Sequence, residues 1–180
     1  MIRRSVDRIQ TMAQELLDYS KGESSLDLQN VTIADILAEL DEQALNILAQ
    51  SNIRVERSVS CSGTFTVDRS RFIRVLLNLV RNAAEAMREG GDLRIAVDRS
   101  DDPVRFHVED TGGGIPEEIL PTMFQPFVTH GKQKGTGLGL AIAKSVVEAH
   151  GGGISIINKP GVGAHFLVEM PERPPEKIDR

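Results

Sequence analysis

Aromatic and cysteine residues are scarce in this sequence, and their scarcity limits what the chain can be. The 180 residues include no Trp, one Tyr and one Cys, and aromatic residues make up 4% of the total. A single cysteine cannot form an internal disulfide, which is typical of a protein in a reducing compartment. Because hydrophobic residues make up 40%, a core is possible, and it must be mainly aliphatic.

Basic clusters and long apolar runs are also missing. The formal net charge is -5 and no basic patch dominates, so we expect no nucleic-acid partner. No apolar run approaches the ~20 residues that span a bilayer. Residues 1–5 are polar, so we expect no signal peptide there.

The spacing of apolar residues predicts three helices separated by strands. Thr32 and Asp68 are suited to cap the first two helices. The predicted helices cover about 33–48, 69–88 and 138–150, and the predicted strands cover 53–59, 64–67, 93–97, 104–108, 153–158 and 164–170. Helices that alternate with antiparallel hairpins favour an α+β fold, a two-layer sandwich with helices on one face of a mixed sheet.

Both ends of the chain differ from this central domain, which we predict over residues 31–171. Residues 1–21 have one apolar helical stripe, which favours a helix from a bundle or coiled coil over one packed on its own domain. Residues 22–30 are polar and predict a linker. Residues 172–180 are rich in Pro and charge and predict a disordered tail.

Three polar residues lie on one face of the long predicted helix. Asn78 and Asn82 are four residues apart, and Glu85 is seven from Asn78, so all three share that face. Asparagine is a mediocre helix former, and many neighbours are apolar. The face is therefore either a polar solvent face or a Mg²⁺ site, because carbonyl oxygens suit Mg²⁺.

Three glycine-rich clusters follow. Residues 110–114 place an aspartate before three glycines, directly after a predicted strand, which allows a flat ligand to approach the backbone closely. Residues 135–140 open a predicted helix, whose free N–H groups form a ready phosphate site. Residues 160–164 are equally consistent with a hairpin turn and a ligand-binding role.

Together these clusters resemble the GHKL superfamily of histidine kinases, gyrase-type ATPases and ninety-kilodalton heat-shock chaperones, and are most similar to the sensor histidine kinases. Residues 78–86 resemble the asparagine box, and 124–127 the phenylalanine box. The three glycine clusters resemble the glycine boxes, in the same order. The resemblance extends over about residues 31–171, and residues 1–21 look like the second helix of a dimerisation domain.

The resemblance implies a Bergerat ATP-binding fold preceded by a helical stub, with ATP and Mg²⁺ as cofactors. Asp110 would accept a hydrogen bond from adenine, Asn82 would ligate Mg²⁺, and Asn78 would lie near the phosphates. Residues 128–134 would form a short ATP lid, as in nitrogen-sensor-type kinases. The implied nucleotide-binding set is Asn78, Asn82, Asp110, Gly112, Gly114, Ile115, Phe127, Lys132, Lys134, Gly135, Thr136, Gly137, Leu138, Gly139 and Leu140.

Some positions depart from the family pattern. Glu85 stands where many histidine kinases have Lys or Arg, and a carboxylate there would repel ATP unless it faces away. Ala164 replaces a usual Thr, with little expected effect. No phosphoacceptor motif is present, so no catalytic residue is certain here and the candidates are Asn78 and Glu85. The histidines are His107, His130, His150 and His165.

Among these histidines, His130 lies in the predicted lid and is the one candidate for ligand contact. His150 ends a helix, where a cation would complement the dipole. The resemblance therefore implies an acceptor histidine on a preceding helix outside this sequence.

The implied function is transfer of the γ-phosphoryl group of ATP to that histidine, in a cytoplasmic domain that belongs to a homodimeric sensor, which itself is either cytoplasmic or membrane-anchored. The implied partners are the protein's own dimerisation domain and a response-regulator receiver domain. Three alternatives stay open: a non-catalytic nucleotide-binding interaction module, a GHKL-type ATPase and an anti-sigma Ser/Thr kinase. Hydrolytic relatives carry a Glu where this chain has Asn78, and the bundle-like first helix argues against an anti-sigma kinase.

Overall fold

A computed structural model describes residues 25–49, 51–99, 101–129 and 136–175. The described helices are α1 (Ile33–Leu48), α2 (Arg69–Ala86) and α3 (Gly139–Ala149). The described strands are β1 (Leu28–Thr32), β2 (Ile53–Val59), β3 (Thr64–Asp68), β4 (Gly91–Asp98), β5 (Val104–Asp110), β6 (Gly153–Lys159) and β7 (Gly163–Met170). The three predicted helices and the alternation with hairpins are confirmed.

The strands form a two-stranded sheet, β1-β3, and a five-stranded mixed sheet of order β2-β4-β5-β7-β6. Only the β2–β4 pair is parallel among the described strand pairs. Alternate residues of β5 are buried: Val104, Phe106, Val108 and Asp110. This alternation defines an inner face that packs toward the core and an outer face. Asp110 is therefore on the inner face, at the end of β5.

The core is mainly aliphatic, as the composition predicts, with one small aromatic cluster. Phe65, Phe72 and Phe106 are almost fully buried, and their ring centroids lie 4.9 to 5.7 Å apart. Tilted and edge-on ring pairs of this kind contribute about 0.5–1.5 kcal/mol beyond area burial. The cluster joins β3, α2 and β5, so it fixes α2 over the sheet.

Side-chain caps set where two helices begin. The Oγ1 of Thr32 accepts the N–H of Asp35 at 3.0 Å, and the Oδ1 of Asp68 accepts the N–H of Arg71 at 3.1 Å. Each satisfies one of the amide groups that the first turn of a helix leaves unpaired. Both predicted caps are confirmed. The second helix ends at Ala86, two residues before its predicted end.

Two boundary predictions need correction. Residues 28–30, predicted as linker, belong to β1, which pairs with β3. Residues 172–175, predicted as disordered tail, are placed against the domain. The carbonyl of Glu172 accepts the N–H of Thr66 at 2.8 Å, and its own N–H donates to Oδ1 of Asp102 at 2.8 Å. Composition hides such backbone pairing, because polar residues pair through their main chains as well as apolar ones do.

The predicted N-terminal helix over residues 1–21 and the first residues of the predicted linker lie outside the described residues. So do residues 176–180. Within the described ranges, no helix combines the length and apolarity needed to cross a membrane.

Candidate functional site

The polar face of α2 lies against the start of α3. The side-chain Nδ2 of Asn78 donates to the carbonyl of Gly139 at 3.2 Å. Asn82 and Glu85 follow on the same face of α2, and all three residues are half-buried. This face of α2 is therefore partly exposed to solvent, and it borders the glycine-rich turn at the start of α3.

The N-terminus of α3 has no side-chain cap. Leu138 is the N-cap residue and makes no side-chain capping bond. Its own N–H donates to Oγ1 of Thr136 at 3.3 Å. Gly139 and Leu140 are half-buried at this end. Free N–H groups and the positive end of the helix dipole make such a terminus suited to anions. Here that terminus adjoins the amide of Asn78.

A close backbone contact holds Gly137 against Phe127. The N–H of Phe127 donates to the carbonyl of Gly137 at 2.9 Å. Gly137 has φ +72°, and a Cβ there would lie 2.5 Å from the carbonyl carbon of Phe127. Only glycine fits this position without displacement. Phe127 itself has φ +66° and is 69% exposed. The two ends of the segment between them therefore meet beside α3.

Asp110 is a buried carboxylate at the end of β5. It is 6% exposed, and its Oδ1 accepts the N–H of Gly112 at 2.8 Å. Burial raises the pKa of Asp110 and nearby Glu109 adds to the increase, whereas hydrogen bonding from the backbone of Gly112 and Ala164 opposes it. Burying a carboxylate is costly, and the backbone donors offset part of that cost. Acidic groups whose pKa burial shifts in this way are common at binding sites.

The glycines around Asp110 allow close packing of the main chain. A Cβ on Gly112 would lie 2.5 Å from Cβ of Ala86, at the end of α2. Gly114 has φ +77°, and a Cβ there would lie 2.7 Å from the carbonyl oxygen of Lys159. A Cβ on Gly163 would lie 1.9 Å from the carbonyl oxygen of Asp110. The loop after β5 is thus pressed against α2 on one side and the β6–β7 hairpin on the other.

Asn158 is a structural residue of the site that the sequence did not reveal. Its Oδ1 accepts the N–H of Ile115 at 2.7 Å, and its Nδ2 donates to the carbonyl of Ile115 at 2.7 Å. In the same hairpin, the N–H of Gly161 donates to the carbonyl of Gly113 at 2.7 Å. The signal in the sequence was an asparagine shortly before a Pro-Gly turn. Asparagine is common near turns for local reasons, so this signal did not indicate a bond to Ile115.

One expectation about the histidines is wrong. His150, predicted as a cation at a helix end, is fully buried. Its Nε2 accepts the N–H of Asp68 at 2.9 Å, and its Nδ1 lies 2.7 Å from the carbonyl of Val146. Burial lowers the pKa of His150, and Arg71 adds to this, against the opposing effects of Val146 and Asp68. In this arrangement the ring is a neutral hydrogen-bonding group, because Nε2 can accept the N–H of Asp68 only when it carries no proton.

Two other histidines lie away from the site. His107, on β5, alternates with the buried residues of that strand and so lies on the outer face of the sheet. Its Nδ1 is 2.9 Å from Nε2 of His165 and its Nε2 is 2.6 Å from Asp98. Burial and His107 lower the pKa of His165.

Part of the predicted site lies outside the described residues, namely His130, Lys132, Lys134 and Gly135. In the described part of the chain, the structure brings three groups together: the Asn78 face, the loop after Asp110 and the start of α3. No cluster of three or more His, Cys, Asp or Glu side chains is placed to hold a metal within those described ranges.

Comparison with known proteins finds relatives of this chain both by sequence and by fold. A family model described as histidine kinase-, DNA gyrase B- and HSP90-like ATPase matches residues 67–174. Sensor protein DivL of Caulobacter vibrioides is 33% identical over 175 residues, which cover 95% of this chain and 22% of DivL. The chain therefore spans less than a quarter of this curated relative.

Solved structures show the same fold. Full-length ShkA in complex with AMPPNP matches with a TM-score of 0.83 and 29% identity, over 94% of this chain and 37% of that one. Histidine kinase ThkA in complex with the response regulator TrrA matches with a TM-score of 0.80 and 30% identity, over 98% of this chain and 51% of that one. The predicted two-layer Bergerat fold is confirmed, and the chain belongs to the family of histidine kinase-, DNA gyrase B- and HSP90-like ATPases.

Proposed function

We propose that this chain binds Mg-ATP between α2, α3 and the loop after β5, as the catalytic domain of a sensor histidine kinase. One observation carries the proposal. The hydrogen bond from Asn78 to the carbonyl of Gly139, at 3.2 Å, joins the amide face of α2 to the uncapped start of α3. Donors for phosphate and oxygens for a cation therefore adjoin each other. ShkA, a relative of similar fold, is seen with AMPPNP.

The adenine end of the nucleotide is assigned to Asp110. Its buried carboxylate would accept a hydrogen bond from the amino group of adenine, while the glycines after it let the ring approach the main chain. Guanine would instead present a carbonyl oxygen to the carboxylate. Two facing acceptors leave a buried group unpaired, which costs about 1–3 kcal/mol and corresponds to a preference for ATP of roughly 10–200-fold.

The phosphate end is assigned to residues 135–140 and to the lysines at 132 and 134. Asn82 fits Mg²⁺ because a half-buried amide oxygen is a hard donor, and Mg²⁺ commonly takes few protein ligands with phosphates and water. When bound, the ion neutralises charge that develops on the transferring phosphoryl group. Asn78 holds the start of α3 in position through its bond to Gly139, and the N–H groups at that end of α3 hold phosphate oxygens in place.

The reaction assigned to the site is transfer of the γ-phosphoryl group to a histidine outside the described domain, with the protein acting as a homodimer. His150 is buried and both of its ring nitrogens are hydrogen-bonded. His107 on β5 and His165 on β7 alternate with buried residues and lie on the outer face of the sheet, away from the proposed nucleotide site. None of these three is therefore placed to accept the phosphoryl group. A receiver domain is the proposed next partner, since ThkA is seen with a response regulator. Phosphoryl transfer depends mainly on positioning and charge stabilisation, which backbone N–H groups can supply.

Calorimetry on the full chain tests the nucleotide assignment. We expect ADP and ATP to bind with Mg²⁺, GTP to bind more weakly, and Asp110→Ala to reduce the affinity for ADP. Glu109→Ala is the matched control, because Glu109 is the neighbouring residue of β5 and lies on the opposite face. Unchanged ADP affinity in Asp110→Ala would show that the adenine assignment is wrong.

Labelled ATP tests the reaction. We expect acid-labile, alkali-stable label on a supplied acceptor domain of the sensor-kinase type, and none on this chain alone. Label on this chain alone would place the acceptor among its own histidines. Binding without any transfer to the supplied domain would favour a nucleotide-binding interaction module.

A further inference from the structure

Helices α2 and α3 are joined by side-chain hydrogen bonds near both ends of their contact. At one end, Nδ2 of Asn78 donates to the carbonyl of Gly139 at 3.2 Å. At the other, the N–H of Asp68 donates to Nε2 of His150 at 2.9 Å. About ten residues of each helix separate the two bonds, which is about 15 Å at the helical rise of about 1.5 Å per residue. The helices therefore run antiparallel with their relative position fixed twice.

The geometry around His150 determines which nitrogen carries the proton. The carbonyl of Val146, 2.7 Å from Nδ1, is an acceptor only, so Nδ1 must donate. Nε2 of the neutral ring then has a free lone pair, and it accepts the N–H of Asp68. His150 is fully buried and Asp68 is 4% exposed, so water cannot readily replace this bond.

Asp68 links His150 to the start of α2. It is the last residue of β3 and the N-cap of α2. Its Oδ1 accepts from the N–H of Arg71 and from Oγ of Ser70, and its Oδ2 accepts the N–H of Asp27. These bonds hold Asp68 firmly at the junction of β3 and α2. His150 therefore joins the end of α3 to a fixed point of the domain.

We propose that His150 is a positioning residue, which holds the end of α3 against the first turn of α2 so that the start of α3 stays aligned with Asn78 and Asn82 for nucleotide binding. This inference rests on the proposed function of the site. Because a helix transmits displacement along its length, loosening α3 at His150 changes the position of its phosphate-binding end. Neither ring nitrogen needs to touch the nucleotide.

Protonation of the ring gives the proposal a chemical signature. An imidazolium has two donors and no acceptor, so it cannot accept the N–H of Asp68. The charged groups that face the ring are Asp68 and Arg71. Burial, with Arg71, lowers the pKa of His150 below its ordinary value. Acid therefore breaks the bond only at the cost of charging a buried group, and nucleotide affinity should decline as the pH falls through this lowered pKa rather than at the ordinary histidine value of about 6.5.

Three variants of the full chain test this proposal. His150→Gln keeps an acceptor near the position of Nε2 and does not titrate, whereas the shorter side chain of His150→Asn cannot reach Asp68. Val147→Ala is the matched control, because it removes buried methyl groups from the same helix without touching the bond. Calorimetry with ADP and Mg²⁺ measures affinity from about pH 8 down to the lowest pH at which the parent stays folded, because the pKa of His150 lies below the ordinary histidine value of about 6.5.

We expect His150→Asn to weaken ADP binding roughly two- to thirtyfold, the usual range for coupling through packed elements. His150→Gln should bind nearly as well as the parent and lose the part of the acid dependence due to His150. Val147→Ala should lower the melting temperature and leave the affinity unchanged. Equal weakening in His150→Asn and Val147→Ala at equal loss of stability would overturn the proposal. If His150→Asn does not fold, identical pH profiles for the parent and His150→Gln would overturn it.

Hydrogen exchange without nucleotide separates this proposal from the proposed function. The N–H of Ile142 donates to the carbonyl of Leu138 at 2.8 Å and reports on the first turn of α3. Faster exchange at Ile142 in His150→Asn than in Val147→Ala supports the positioning role even if no nucleotide binds, which would defeat the proposed function alone. Unchanged exchange at Ile142 in a folded His150→Asn overturns the positioning role whatever the nucleotide result.

Discussion

Replacing Gly163 with alanine should force β5 and β7 apart at the point where they hold Asp110. The added Cβ would lie 1.9 Å from the carbonyl oxygen of Asp110 and 3.1 Å from Cα of Thr111. Ordinary contact begins near 3.4 Å, so the chain must move by about 1.5 Å. Overpacking of a fixed interior typically costs about 1–3 kcal/mol. In a domain of about 150 residues each kcal/mol lowers the melting temperature by about 2–4 °C.

Alanine variants of two other glycines in the same hairpin distinguish the effect of a steric clash from the effect of backbone strain. Gly161 has φ +77° and open space around its Cβ position, so Gly161→Ala should cost only the left-handed penalty of about 1–2 kcal/mol. Gly153 also has open space and no positive φ, so Gly153→Ala should change stability by less than about 0.5 kcal/mol. The expected order of destabilisation is Gly163, then Gly161, then Gly153.

Thermal unfolding and ADP calorimetry on the three variants give the decisive comparison. We expect Gly163→Ala alone to lose affinity beyond what its loss of stability explains, because its collision is with the residue assigned to adenine. A Gly163→Ala variant as stable as Gly153→Ala, with normal ADP affinity, would refute the reasoning about close strand packing.

Three further predictions concern single side chains. Asn82→Ala should reduce the Mg²⁺-dependent part of ATP binding, measured by calorimetry with and without Mg²⁺, more than it reduces the melting temperature. Asn158→Asp should destabilise the domain by about 1–3 kcal/mol in denaturant unfolding, because a carboxylate cannot donate to the carbonyl of Ile115. Asp110→Asn should raise the melting temperature at neutral pH while weakening ADP binding, since it removes a buried charge whose folded-state pKa burial raises.

The sign of the Asp110 effect follows from its raised pKa. Between the unfolded and folded pKa values the folded state binds more protons, so stability declines as the pH rises through that window and stays lower above it. The stabilisation by Asp110→Asn should therefore vanish in acid. Stabilisation by Asp110→Asn that persists below the unfolded pKa would contradict the buried-charge argument. An unchanged Mg²⁺ dependence of ATP binding in Asn82→Ala would contradict the metal assignment. Normal stability of Asn158→Asp would contradict the role of its bond to Ile115.

Residues that act through local pattern were predictable from the sequence. The caps Thr32 and Asp68 precede apolar residues at helical spacing, and the amides of Asn78 and Asn82 are four residues apart, so local geometry alone places them. The predicted strand 104–108 continues to Asp110, which was predicted to begin the following loop, and its alternation places Asp110 on the inner face. These features depend on the 3.6-residue and two-residue periods, which a sequence displays directly.

Residues that act through distant backbone were not predictable in this way. His150 accepts from Asp68, 82 residues away along the chain, and Asn158 binds Ile115, 43 residues away. Neither contact leaves a periodic signal. Residues 28–30 and Glu172 differ from their predictions for the same reason. Polar side chains do not show that the main chain of 28–30 and the carbonyl of Glu172 pair with β3, or that the N–H of Glu172 donates to the Asp102 carboxylate.

The chemistry of the site has to reconcile acidic side chains with a polyanionic ligand. Asp110 and Glu85 border the region proposed to take the nucleotide, and the whole chain carries a net charge of -5. Asp110 is separated from the phosphates if it binds the adenine end, so its charge serves recognition. Glu85 has no such separation, because it shares the face of Asn78 and Asn82. The positive end of α3, Mg²⁺ and the lysines at 132 and 134 must therefore together outweigh Glu85. Neutralising it with Glu85→Gln should strengthen ATP binding more at low salt than at high salt, because ions screen the repulsion between a half-buried carboxylate and the phosphates in part.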